Sequence, residues 1–119
     1  MDFNRPSHLE PILEQVRTFV ERELFPLEHA FLNREFRDLV PALAEKRNQV
    51  KQAGLWAPFL PVAYSGMGLT LLEYAYISEE LGRSPLGHYT FNCQAPDVGN
   101  MELLLQFGTD SQKSTYLEP

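Results

Sequence analysis

The chain has 119 residues, 44% of them hydrophobic, with 10 Lys and Arg against 16 Asp and Glu, a formal charge of −6. That size holds one domain with one core, without help from metal or disulfide. The acidic balance argues against a nucleic-acid footprint, the lone Cys93 excludes an internal disulfide, and no apolar run is long enough to span a bilayer.

The first helix is expected to start between Ser7 and Pro11, with Ser7 and Glu10 at capping-box spacing. Leu9, Ile12, Leu13, Val16, Phe19, Val20 and Leu24 recur at helical spacing, and Pro26 is expected to end the helix or kink its tail. Residues 26–35 read as a mixed linker. A second helix follows, capped by Asp38, with Pro41 in its first turn and Val40, Leu43, Ala44, Arg47, Val50 and Ala53 as its inner stripe. Gly54 stops it, and Leu55 can fold back onto its last turn.

Pro58 and Pro61 make the next apolar stretch an extended connector rather than a central strand. Ser65-Gly66-Met67-Gly68 then reads as a tight turn with both glycines free to take positive φ. Thr70 and Glu73 form a capping box for a third helix, Leu71 to about Leu81, stopped by Gly82. That helix is apolar around most of its circumference, with only Glu73, Tyr76 and Glu80 as a polar stripe, so it is expected to be central. Residues 83–89 form a connector. A fourth helix contains Val98 to Phe107, with Pro96 and Asp97 at its start and Gly108 at its end. Gly99 inside it costs roughly 1 kcal/mol relative to Ala and needs a reason, such as close approach of another group. A last helix starts at Thr109 or Asp110. No strand alternation persists, so the class is all-α: a small orthogonal or up-down bundle of four to six helices.

Catalytic patterns are mostly missing. Gly66-Met67-Gly68-Leu69-Thr70-Leu71 lacks the third glycine and the preceding strand of a dinucleotide fingerprint. His8, His29 and His88 lack metal-ligand spacing. Ser65 lacks a nucleophile elbow. Glu21 and Glu23, or Glu79 and Glu80, diverge on a helix and form no carboxylate pair. Cys93 reads as a small buried hydrophobe. If the chain serves an enzyme, it serves as one wall of it.

Several segments carry a resemblance when taken together. They are Gly54-Leu55-Trp56; Pro61, Tyr64, Gly66, Gly68 and Leu69; Glu73-Tyr74-Ala75; and Ser78-Glu79-Glu80-Leu81-Gly82-Arg83. Phe107-Gly108-Thr109, Gln112-Lys113 and Tyr116-Leu117 follow downstream. In order and spacing they resemble the N-terminal helical domain of the acyl-CoA dehydrogenase family, from about Phe19 onward. The resemblance implies a larger FAD enzyme with a middle β-domain and a C-terminal helical bundle. In such an enzyme a glutamate base removes the α-proton of an acyl-CoA thioester while the β-hydride passes to the flavin. It also implies an electron-transfer flavoprotein as acceptor, a homo-oligomer and a role in fatty acid β-oxidation. Its compartment would be the cytoplasm of a bacterium, or the mitochondrial or peroxisomal matrix of a eukaryote. Residues 1–119 are then expected to be the N-terminal domain alone, ending before the β-domain, with no catalytic residue, no metal, no flavin site and no activity of its own.

In the family this domain closes one side of the acyl-chain pocket with the helix before the Gly108 turn. Counting back from Gly108, the pocket-facing positions are Asn92, Ala95 and Gly99. Two of the three are small, which suits long or branched acyl chains. Pro96 departs from the uninterrupted helix of the family at this point. Same-fold acyl-CoA oxidases, flavin-dependent monooxygenases and nitroalkane oxidases stay open as alternatives. A stand-alone interaction module also stays open. It predicts a closed bundle with a polar exterior, whereas the enzyme wall predicts bare apolar faces on the third and fourth helices.

Overall fold

The computed structural model describes residues 4–118. A 3-10 turn, Ser7–Leu9, leads into α1, Glu10–Phe19. The expected Ser7 cap is not made. The α-helix starts at Glu10, and Pro11 falls where an N–H has no intrahelical partner anyway. The chain then stays helical through Pro26, contrary to the expected stop. A π-helical turn, Val20–Leu24, joins α1 to α2, Phe25–Asn33, and the Phe25 N–H bonds to Val20 O five residues back. The wider turn shifts the register before Pro26, which lands at the start of α2, where its missing N–H is no loss. The expected linker is therefore helix, and Leu27, Ala30 and Phe31 pack against the core.

This rod is the centre of the bundle. Leu9, Leu13, Val16, Val20 and Leu24 are fully buried along one side, with Ile12 and Phe19 half-buried beside them. Burying each such side chain contributes about 2 kcal/mol. α3, Phe36–Gln52, starts two residues before Asp38, so Pro41 lies inside the helix rather than in its first turn. Its inner residues are Leu39, Leu43 and Val50, while Val40, Ala44 and Ala53 face outward. Gly54 ends it at φ 71°, and the Leu55 N–H returns to Val50 O at 3.1 Å, as the helix-stop reading required.

The connector buries Leu55, Ala57 and Leu60, and the Ala57 N–H donates to Phe91 O at 2.9 Å. In its turn the positive φ values belong to Ser65 and Gly68, not to both glycines. Gly66 is needed for closeness instead, since a Cβ there would lie 1.9 Å from Leu60 O.

α4, Leu71–Leu81, carries the predicted capping box: Thr70 N–H to Glu73 Oε2 at 2.8 Å, and Glu73 N–H to Thr70 Oγ1 at 3.3 Å. It crosses α1 with Ile77 and Leu81 inward. The expected central position is not realised, because Leu71 and Leu72 are 83% and 55% exposed. Glu80, expected on the polar stripe, is instead only 4% exposed. Arg17 grips it with Nη2 at 2.7 Å and Nε at 3.4 Å, Arg83 Nη1 adds a contact at 3.4 Å, and Arg5 Nη1 lies 3.7 Å away. The hydrogen bond from Arg17 holds the Glu80 carboxyl below its usual range.

The short α5, Gly87–Thr90, lies within the expected connector, and Phe91 after it meets Phe19 edge-to-face at 5.3 Å. α6, Asp97–Phe107, and α7, Asp110–Tyr116, complete the chain; Thr109 and Gln112 form a second capping box. Counting the α1–α2 rod once, the described residues form six helices and no strand, the expected all-α class.

Candidate functional site

α6 packs loosely, as α2 and α7 also do without a fully buried residue, but it is the more apolar of the two loosely held helices that end the chain. None of its residues is fully buried, and Leu103 and Phe107 are 59% and 76% exposed. A helix of such composition left uncovered on its own chain is the bare apolar face that the wall reading expected. Leu71 and Leu72 of α4 supply the second such face. A closed bundle with a polar exterior, as a self-sufficient module requires, is not what these helices form.

The three sequence-derived positions do not share one helix. Asn92 sits in a turn after α5 at φ 58°, half-buried, with its amide 3.8 Å from Met101 Sδ. Ala95 is exposed and joined to Pro96 by a cis bond ahead of α6. Gly99 lies within α6. The proline break separates Asn92 and Ala95 from the helix on which an uninterrupted count would have placed them.

Gly99 is the informative glycine. Gly66, Gly87 and Gly108 are explained by backbone that a Cβ would strike, and Gly54 and Gly68 by positive φ. A Cβ on Gly99 would meet nothing within 4 Å. Nothing described in this chain therefore uses the space beside it.

A cleft of about 970 Å³ separates α6 and α7 from the end of α3 and the connector. Asn92 lines it together with Arg47, Trp56, Tyr64, Met101 and Leu104, whereas Ala95 and Gly99 do not. A second hollow of about 400 Å³ lies between α6 and α7, lined by Leu103, Phe107 and Tyr116. Arg47 and Trp56 were missed as cleft residues. Their signal was present: Arg47 is the one charge interrupting the apolar stripe of α3. Its guanidinium carbon lies 4.5 Å from the Trp56 ring centre and 4.7 Å from that of Tyr89, and its Nη1 donates to Tyr89 O. Lys51 Nζ stands 4.4 Å from the Trp56 ring centre.

Other titratable groups are structural. Hydrogen bonds from Thr70, then His8, lower Glu73; His8 Nε2 is 2.6 Å from Glu73 Oε1. Burial lowers His88, whose Nε2 is 2.8 Å from Ser78 Oγ. Burial pushes the Cys93 thiol up to about 12 and raises Tyr74 as well. Among the described residues no group of three or more potential ligands could hold a metal ion, and no helix is long and apolar enough to cross a membrane. On the cleft, Arg47 and Lys51 both stand over the Trp56 ring, and Tyr64 and Tyr116 supply further rings to the lining. No chemical step through FAD is derived from this chain.

Residues 6–119 match the family model for the acyl-CoA dehydrogenase N-terminal domain. The chain belongs to the acyl-CoA dehydrogenase family. It is 35% identical over 127 residues to mouse acyl-CoA dehydrogenase family member 10, an alignment covering 96% of this chain and 12% of that protein. Against chicken acyl-CoA dehydrogenase family member 11 the identity is 38% over 118 residues, covering 92% of this chain and 15% of the relative. A solved chain from Mycobacterium abscessus, provisionally assigned as an acyl-CoA dehydrogenase, superposes with a TM-score of 0.87 at 35% identity. That match covers 98% of this chain and 32% of the other. This acyl-CoA dehydrogenase domain therefore spans a small part of the relatives it matches.

Proposed function

We propose that this domain covers one side of the acyl-chain pocket in an FAD-dependent enzyme that oxidises acyl-CoA thioesters to 2-enoyl-CoA. The single observation that carries the reading is Gly99 with the bare apolar face of α6 around it. A mid-helix glycine with empty space beside it, on a helix left exposed by its own chain, fits a surface completed by something else. The family supplies the candidates: a middle β-domain, a helical bundle and the fatty tail of the substrate. Asn92, Ala95 and Gly99 are the residues assigned to the substrate side, with no catalytic residue among them. The small side chains at two of these positions suit long or branched acyl groups. FAD and the proton-abstracting base belong, in this reading, to polypeptide outside residues 1–119. An electron-transfer flavoprotein is the assigned acceptor, and a homo-oligomer the assigned assembly.

The test joins this domain in one polypeptide to the flavin-bearing parts of the family. Anaerobic addition of a long-chain acyl-CoA is expected to bleach the flavin absorbance, and air alone is expected to restore it slowly. Failure of every acyl-CoA to bleach the flavin contradicts the dehydrogenase reading. Rapid reoxidation by oxygen moves the domain to an oxidase of the same fold.

A further inference from the structure

The cationic side of the large cleft is not used by the acyl wall. Arg47 and Lys51 lie one helical turn apart on α3, a like-charge spacing that disfavours the helix. No described carboxylate pairs with either within 4.0 Å; the same is true of Arg22, Arg34, Arg37 and Lys113, but of these six only Arg47 and Lys51 stand over an aromatic ring. Both cations share the ring of Trp56, and Tyr89 adds a second ring and a carbonyl acceptor for Arg47. Stacking on rings engages the faces of a guanidinium and leaves donors at its edge, held in a fixed orientation.

We propose that Arg47 and Lys51, braced on Trp56, bind the phosphate groups of a small, nucleotide-sized ligand in this cleft. The volume of about 970 Å³ is at the upper end for small-molecule sites. A guanidinium fork beside an ammonium is the pairing that phosphate oxygens favour. The acids on the cleft, Asp97 and Glu118, repel an anion from their own positions. They therefore give the ligand a direction: phosphate toward α3, hydroxyl or amine donors toward Asp97 and Asn100. Of the residues assigned to the acyl wall only Asn92 lines this cleft, while Ala95 and Gly99 do not, so the phosphate site rests on α3 and Trp56 rather than on the wall.

Trp56 is the only tryptophan in the chain, so its emission reports on the site directly. The chain is titrated with inorganic pyrophosphate, with sodium chloride at matched ionic strength as the control and ADP as a second arm. A saturable emission change with pyrophosphate is expected. Lys51→Gln, at an exposed position that does not threaten the fold, is expected to weaken it at least about tenfold. Arg47→Lys, which keeps the charge and loses the fork, is expected to weaken it further. Tighter binding of ADP supports the site with a nucleotide as its ligand; equal midpoints support it with the phosphates alone recognised. An emission change that follows ionic strength only, or an unchanged midpoint in Lys51→Gln, overturns the proposal.

Discussion

Replacing Gly99 by alanine isolates the claim that α6 is unfinished on its own chain. The position is helical with ordinary φ, and the added Cβ meets no atom within 4 Å. The only change within the chain is then helix propensity, which favours alanine by about 1 kcal/mol. α6 buries none of its residues completely, so propensity carries an unusual share of its stability. In a domain of this size about 1 kcal/mol raises the thermal midpoint by roughly 3–6 °C where α6 melts with the rest. Where α6 opens locally, the same gain appears as about fivefold slower amide exchange along α6. Circular dichroism during thermal unfolding, with amide exchange measured in parallel, reads both. Gly66→Ala is the contrasting control, because its Cβ would lie 1.9 Å from Leu60 O and must displace backbone. The prediction is gain at Gly99 and loss at Gly66. A loss of about 1 kcal/mol or more at Gly99 would mean that the chain already packs against that helix face, and the unfinished-wall argument would fail.

Glu80→Gln removes the acceptor charge from three arginines that are themselves about a third exposed, and is expected to cost roughly 1–2 kcal/mol, measured by urea unfolding at neutral pH. Because Glu80 is held below its ordinary value of 4.5 in the fold, its stabilisation is present above that value and fades as pH falls through the folded one; the variant is expected to show a flatter acid limb. Cys93, buried and raised to about 12, is expected to resist a thiol reagent at pH 8 in the folded chain and to react promptly in urea, as a timed absorbance assay would show. The faces at Leu71, Leu72, Leu103 and Phe107 are expected to bind a naphthalene-sulfonate dye in the folded chain, and a Leu71→Glu, Leu103→Glu double variant to lose most of that emission.

Local signals were the most legible. The Thr70–Glu73 box, the Gly54 stop and the buried stripe from Leu9 to Leu24 depend on neighbours in sequence, and the fold keeps them. Pro26 misled because the helix widens to a π turn just before it and accommodates the missing N–H, which a count on a regular helix does not foresee. Glu80 misled because its partners, Arg17 and Arg5, lie on a segment far away in sequence, and only tertiary packing reveals that a charge is paired. The same holds for Arg47, which reads as a fault in an apolar stripe until Trp56 and Tyr89 close around it. At the acyl wall the helix start at Asp97 was legible from Pro96, but the count that gave Asn92, Ala95 and Gly99 assumed an uninterrupted helix, and the positive φ that turns the chain at Asn92 has no sequence signal beyond the asparagine itself.

The acyl wall is tested most directly by a chain-length profile in a flavin-loaded polypeptide carrying this domain. Initial rates are compared across a series of acyl-CoA substrates for the parent protein and Gly99→Leu. The account predicts a parent optimum at long or branched acyl groups and a shift toward short ones in the variant, with short-chain rates largely kept. A parent optimum at short acyl groups, or a profile that Gly99→Leu leaves unmoved, would contradict it.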